Sequence, residues 1–113
     1  MTDKIVVFTT CGSEQEARKL AAMLIEKRLA ACVNITAPVT SIYRWKGVVE
    51  ESREWLLIVK SRRDCFDRLR IALESAHSYE LPEVLAIPVV AGSPNYLAWV
   101  DSETGGETGE EAQ

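Results

Sequence analysis

Two periods organise the apolar positions of this chain. Lys4 to Thr10 (KIVVFTT) is a short, nearly continuous apolar run rich in β-branched residues, which predicts a strand buried on both faces. Ala17, Leu20, Ala21 and Leu24 then recur at i, i+3, i+4 and i+7, the spacing of a helix with one apolar stripe. Ser13 with Glu16 three positions later has the form of a capping box, so this helix is expected to start there and run to about Arg28. Strand character returns from Ala31 to Ile35, is interrupted at Pro38 and resumes from Thr40 through Trp45. A proline inside such a run implies a bend, a bulge or an edge. Lys46 to Glu51 reads as a turn and Glu54 to Lys60 (EWLLIVK) as the next strand. This long bent hairpin exceeds what one small sheet can cover, so its tip, with Trp45 beside Gly47, is expected to project beyond the core.

Asp64 is expected to cap a second helix whose buried stripe is Phe66, Leu69, Leu73 and Ala76. His77 to Glu83 forms a connection to a strand from Val84 to Val90, and Ser93-Pro94 opens a short third helix through Leu97 and Val100. The order is β-α-β-β-α-β followed by a small helix, which predicts an α+β, ferredoxin-like fold: a four-stranded antiparallel sheet with both main helices on one face. The opposite face is left bare, and self-association is the plainest cover for it. The folded domain is expected to span residues 1–102, with 103–113 as an acidic, disordered tail poor in anything to bury.

Charge narrows the partners. The 113 residues carry 13 basic and 17 acidic side chains, a net charge of −4. Five of the acids (Asp101, Glu103, Glu107, Glu110, Glu111) fall in the last thirteen residues, so the body is close to neutral. That lacks the basic excess of a nucleic-acid binder, and no apolar run approaches the roughly 20 residues of a membrane span. Met1-Thr2-Asp3-Lys4-Ile5 has no basic stretch leading into a long apolar core, so a cytoplasmic location is expected. Cys11, Cys32 and Cys65 form no C-x-x-C pair and read as reduced thiols. His77 is the single histidine, which excludes H-E-x-x-H and other multi-imidazole sites within one chain. No serine is framed as a nucleophile, and the Gly105-Gly106 tract lacks the Gly-Lys-[Ser/Thr] of a phosphate loop.

Four ordered blocks then carry a resemblance: Arg28-Leu29-Ala30-Ala31-Cys32-Val33-Asn34, Ser41-Ile42-Tyr43-Arg44-Trp45-Lys46-Gly47, His77-Ser78-Tyr79-Glu80-Leu81-Pro82-Glu83 and Tyr96-Leu97-Ala98-Trp99. Together they resemble the successive signature blocks of CutA, the divalent-cation tolerance family, over roughly Ile5 to Val100. The resemblance implies a tight homotrimer, with sheets joined through the long hairpin in an architecture similar to the trimeric PII signalling proteins. It implies a link to tolerance of copper and other divalent metals, the anchoring of acetylcholinesterase among animal relatives, and no defining enzymatic activity. In some bacterial members copper ligation is attributed to a cysteine at the end of the first strand and a His-His pair. Those positions hold Thr9, Ala76 and His77 here, with Cys11 two residues away.

His77 and Glu83 are the candidate metal ligands, for copper or another divalent ion weakly bound. His77 also suits a purely structural place just past a helix end, where the dipole favours an imidazolium. Tyr43, Trp45, Lys60, Tyr79 and Trp99 are candidates to line a ligand cleft between subunits, each with the blander alternative of interface packing or simple solvation. Cys32 is the candidate thiol, against a reading as an inert buried cysteine. The expected partners are other copies of the chain, a metal ion or small ligand, and a protein partner. The alternatives are a structural trimeric scaffold and a small enzyme on the same fold. An acylphosphatase would need an arginine-bearing loop where Thr10-Cys11-Gly12-Ser13-Glu14 stands.

Overall fold

The computed structural model describes residues 1–105. Five strands and three helices follow in order: β1 (Lys4–Cys11), α1 (Glu14–Glu26), β2 (Cys32–Ile35), β3 (Val39–Trp45), β4 (Val48–Arg62), α2 (Phe66–Ala76), β5 (Leu85–Pro88) and α3 (Pro94–Glu103). The sheet order is β2-β4-β1-β5, antiparallel throughout, with β3 paired to the outer part of β4. This is the expected ferredoxin-like arrangement. Val7 stands opposite Val59 at the centre of the sheet.

Alternation along the central strands decides which side chains enter the core. Ile5, Val7, Thr9 and Cys11 of β1, with Leu57, Val59 and Ser61 of β4, are buried. They meet Ala17, Leu20 and Leu24 of α1 and Leu69 and Leu73 of α2, which form one apolar cluster with them and Leu29. The residues between, among them Val6, Phe8, Leu56 and Ile58, face the other side and are only half buried. α3 crosses one end of that second face. Its Asp101 reaches Lys4 Nζ and Arg62 Nη1 at 3.3 and 3.2 Å, and the Arg62 bond holds the Asp101 carboxyl below its ordinary range. The face expected to be bare is therefore covered in part, and Leu85 and Ile87 of β5 remain exposed at 60% and 49%.

Four local expectations are corrected. The hairpin turn is tighter than Lys46 to Glu51: Trp45 already pairs with Val48. Lys46 and Gly47 have φ of 50° and 83°, the two left-handed residues of a type I′ turn that matches strand twist. β4 consequently runs 15 residues without a break. Asp64 does not cap α2. It lies in a 3-10 turn from Arg63 to Cys65, its carboxylate 3.2 Å from Arg62 Nε, and α2 starts without a side-chain cap. The last strand covers only Leu85–Pro88 of the expected 84–90. Finally, order continues past residue 102. Glu103 closes α3, Thr104 and Gly105 are buried, and Gly105 N–H donates to the Arg28 carbonyl at 2.9 Å. The remainder of the expected tail, 106–113, lies outside the described residues.

Candidate functional site

The capping box forms only by half, and the other half builds the site. Ser13 Oγ accepts from Glu16 N–H at 3.0 Å, as a cap should. The Glu16 carboxylate does not turn back to Ser13. It accepts from Ser78 N–H and Ser78 Oγ, both at 2.9 Å, and so ties the start of α1 to the connection after α2. That tie fixes His77, whose side chain is fully buried. His77 Nδ1 accepts from the Tyr79 N–H at 3.0 Å, which assigns the proton to Nε2, and Nε2 donates to the Thr10 carbonyl at 2.8 Å. Both ring nitrogens are occupied within the chain.

Tyr79, turned by this arrangement, donates from its phenol to Glu54 Oε2 at 2.7 Å. Glu54 is buried, at 7% exposure, at the point where β4 passes from β1 to β3. Burial pushes the Tyr79 phenol well above its ordinary range, and the bond to Glu54 adds to it. Partial desolvation also lifts the Glu83 carboxyl, although the residue remains exposed, and the nearby Glu54 charge adds to the effect. Tyr43 is close enough to contribute to the electrostatics of Tyr79, and its own hydroxyl accepts from Ser52 Oγ at 3.3 Å. Gly12 lies against this packing, and a Cβ there would meet the Tyr79 hydroxyl at 3.4 Å, an ordinary contact. The result is a corner of two tyrosines and two carboxylates at one end of the half-covered sheet face.

The other expected cleft residues stand elsewhere. Lys60 Nζ contacts Asn34 Oδ1 and lies 3.9 Å from Cys32 Sγ. Cys32 in turn neighbours Tyr96 of α3, which is 44% exposed and whose phenol is raised by partial desolvation and by that thiol. Trp99 packs against Tyr96, ring centroids 5.6 Å apart, and is 42% exposed. Lys60 is six residues along β4 from Glu54, roughly 20 Å at ~3.3 Å per residue. Trp45 sits at the hairpin tip with Lys46 Nζ 5.5 Å from its ring. Within one chain these residues therefore form two separate groups and a projecting aromatic, not a single cleft.

Within one chain the metal reading of His77 and Glu83 does not fit. His77 has no free nitrogen or exposed edge, and Thr9 is buried in the core with its Oγ1 unpartnered among the described residues. Cys11 Sγ is also buried in the core and lies 3.4 Å from the Ser13 carbonyl. Among the described residues no group of three or more His, Cys, Asp or Glu is placed to hold a metal ion. Sequence reasoning missed Glu54 and the second role of Glu16. The signal for Glu54 was present: an acid opening an apolar strand, in phase with Leu56 and Ile58.

The family model of the CutA1 divalent ion tolerance protein matches residues 5–103. The divalent-cation tolerance protein CutA of Thermus thermophilus is 46% identical over 100 residues, 88% of this chain and 97% of that protein. Mouse protein CutA is 45% identical over 97 residues, 86% of this chain but 55% of the mouse protein, so the chain spans about half of that longer relative. Among solved structures, the Thermus thermophilus protein superposes with a TM-score of 0.88 at 45% identity, covering 90% of this chain and 99% of that one. CutA of Xylella fastidiosa gives 0.89 at 34% identity, over 92% and 100%.

Proposed function

The chain belongs to the CutA1 divalent ion tolerance protein family, and we propose that it serves divalent-cation tolerance as a non-catalytic homotrimer. In this reading it holds a small ligand, or a weakly bound divalent ion such as copper, at clefts between subunits. The observation that carries it is the pairing of an open sheet face with a projecting hairpin. Ile42, Val48 and Val49 on the hairpin are 68%, 57% and 61% exposed, and Leu85 and Ile87 on β5 are also uncovered. Apolar surface of this extent on a small domain favours burial against other copies.

A cyclic trimer uses heterologous contacts, setting one patch of a subunit against a different patch of the next. That is what two separated half-sites require. The Tyr43–Glu54–Tyr79–Glu83 corner of one copy, with its neighbour's Lys60, Cys32 and Trp99 end, would make one cleft with two acids and a lysine. The assembly would be similar to the trimeric PII signalling proteins. Any cation in it would rest on Glu83 and on groups of another copy, because His77 is spent within its own chain. We place the protein in the cytoplasm; fractionation of its source cells checks this.

A scaffold that engages a protein partner is the second reading, favoured by the lack of a one-chain metal cluster among the described residues. Native mass spectrometry separates the two, first on the purified protein and then with a slight excess of copper. A trimer that takes up copper supports the cleft reading. A bare trimer moves the function to the scaffold. A monomer overturns both.

A further inference from the structure

The helix layer carries a groove that the self-association argued above does not use. It lies between α1 and α2 on the side away from the open sheet face, as two adjoining hollows of about 500 and 440 Å³ that share Met23 and Ala76. Met23, Ile71, Ala72 and Ala76 supply its apolar surface over the buried Leu20 and Leu29, and Ile71 is 53% exposed. The charges on its walls are one-sided. Lys19, Lys27 and Arg68 line it, and none has a carboxylate partner among the described residues. Arg18 and Arg70, on the same helices but outside the groove, are each paired to an acid one turn away, Glu14 at 2.9 Å and Glu74 at 3.0 Å. Among the described residues the one carboxylate on the groove wall, Glu16, is consumed by Ser78.

From this we infer that the α1–α2 groove docks an acidic amphipathic helix of another protein, apolar residues on the floor and carboxylates against Lys19, Lys27 and Arg68. Gln15 to Lys27 spans roughly 18 Å at ~1.5 Å per residue, the length of about three helical turns. An apolar floor with cations on the rim is the complement of such a helix, in the groove mode of peptide recognition. The chain's own acidic segment suits it less, since Glu107, Glu110 and Glu111 are accompanied by glycines and almost nothing apolar.

The test is fluorescence anisotropy of the full chain with a labelled 18-residue helix bearing a leucine stripe flanked by glutamates. A scrambled peptide, a lysine-for-glutamate peptide and a single-stranded oligonucleotide serve as comparisons. The designed helix should bind, weaken at least tenfold in the Lys27→Glu/Arg68→Glu variant and similarly in Ile71→Glu, and shift backbone amide resonances along α1 and α2. All three positions are exposed or on the groove wall, and circular dichroism checks that each variant folds; Lys27→Gln with Lys19→Gln replaces the double variant if it does not. Equal binding of the scrambled peptide or oligonucleotide, or no effect of these substitutions, overturns the inference. So does a tenfold gain in the Glu107→Gln/Glu110→Gln/Glu111→Gln variant, which would make the chain's own segment the occupant.

Discussion

The phenol of Tyr79 donates a 2.7 Å hydrogen bond to Glu54, a carboxylate 7% exposed at the base of the hairpin. This bond joins the connection after α2 to the strand that carries the hairpin, and it gives a buried acid a partner it would otherwise lack among the described residues. Removing one partner of a buried polar pair costs about 1–3 kcal/mol, more where the other is charged. Tyr79→Phe should therefore lower stability by about 2 kcal/mol. Double-variant analysis with Glu54→Gln in urea unfolding should show coupling between the two; strictly additive losses would mean that the bond contributes nothing.

His77 should behave as a structural residue. His77→Ala leaves the Thr10 carbonyl and Tyr79 N–H unpaired in a buried position, a loss of about 1–3 kcal/mol. Copper uptake measured by calorimetry should be unchanged in the variant. A parallel loss of copper binding without loss of stability would return the imidazole to the metal.

Glu83 gives a pH signature with a definite sign. Its carboxyl is raised in the folded state by partial desolvation and by Glu54, although the residue is exposed, so the charged form is slightly disfavoured on folding. The penalty is absent below the ordinary glutamate range and is fully present once pH exceeds the raised folded value. Glu83→Gln should melt higher than the parent at pH 7 and lose that advantage as pH falls below about 4. Melting curves across pH check this, and a constant offset at all pH values would contradict it.

Gly47, at φ 83°, meets nothing among the described residues within 4 Å of an added Cβ. A side chain there changes backbone preference and little else, so Gly47→Ala should cost about 1 kcal/mol. Thermal unfolding measures this. An unchanged melting temperature would show that the hairpin tip does not limit stability.

The end of the domain is also open to measurement. Thr104 Oγ1 donates to the Val100 carbonyl at 2.7 Å and Gly105 N–H to Arg28 at 2.9 Å. A chain ended at Ser102 should unfold at lower denaturant than one ended at Gly105, by about 1–3 kcal/mol. Equal midpoints would put the boundary back at 102.

What the sequence determined by itself was the set of elements and their order. Periodicity alone separates the buried strand Lys4–Thr10 from the stripe Ala17–Leu24, because side-chain direction follows directly from the 2.0 and 3.6 repeats. It also placed the hairpin, whose Lys46-Gly47 turn could have been narrowed from the glycine. The four signature blocks marked the connection from His77 to Glu83 and the aromatics Tyr43, Trp45, Tyr79 and Trp99, but not what their side chains touch. The tertiary structure alone decided that Glu16 serves Ser78 and not its own helix start, that Asp64 pairs with Arg62, and that His77 spends both nitrogens internally. It also decided that Glu54 is the hidden partner of Tyr79, and that Lys60 lies at the far end from both. Apart from the local Arg62–Asp64 and His77–Tyr79 contacts, each of these depends on which polar groups come within about 3 Å of one another across distant stretches of chain. Hydrogen bonding is that short in range and that directional, so no local pattern along the sequence could carry it.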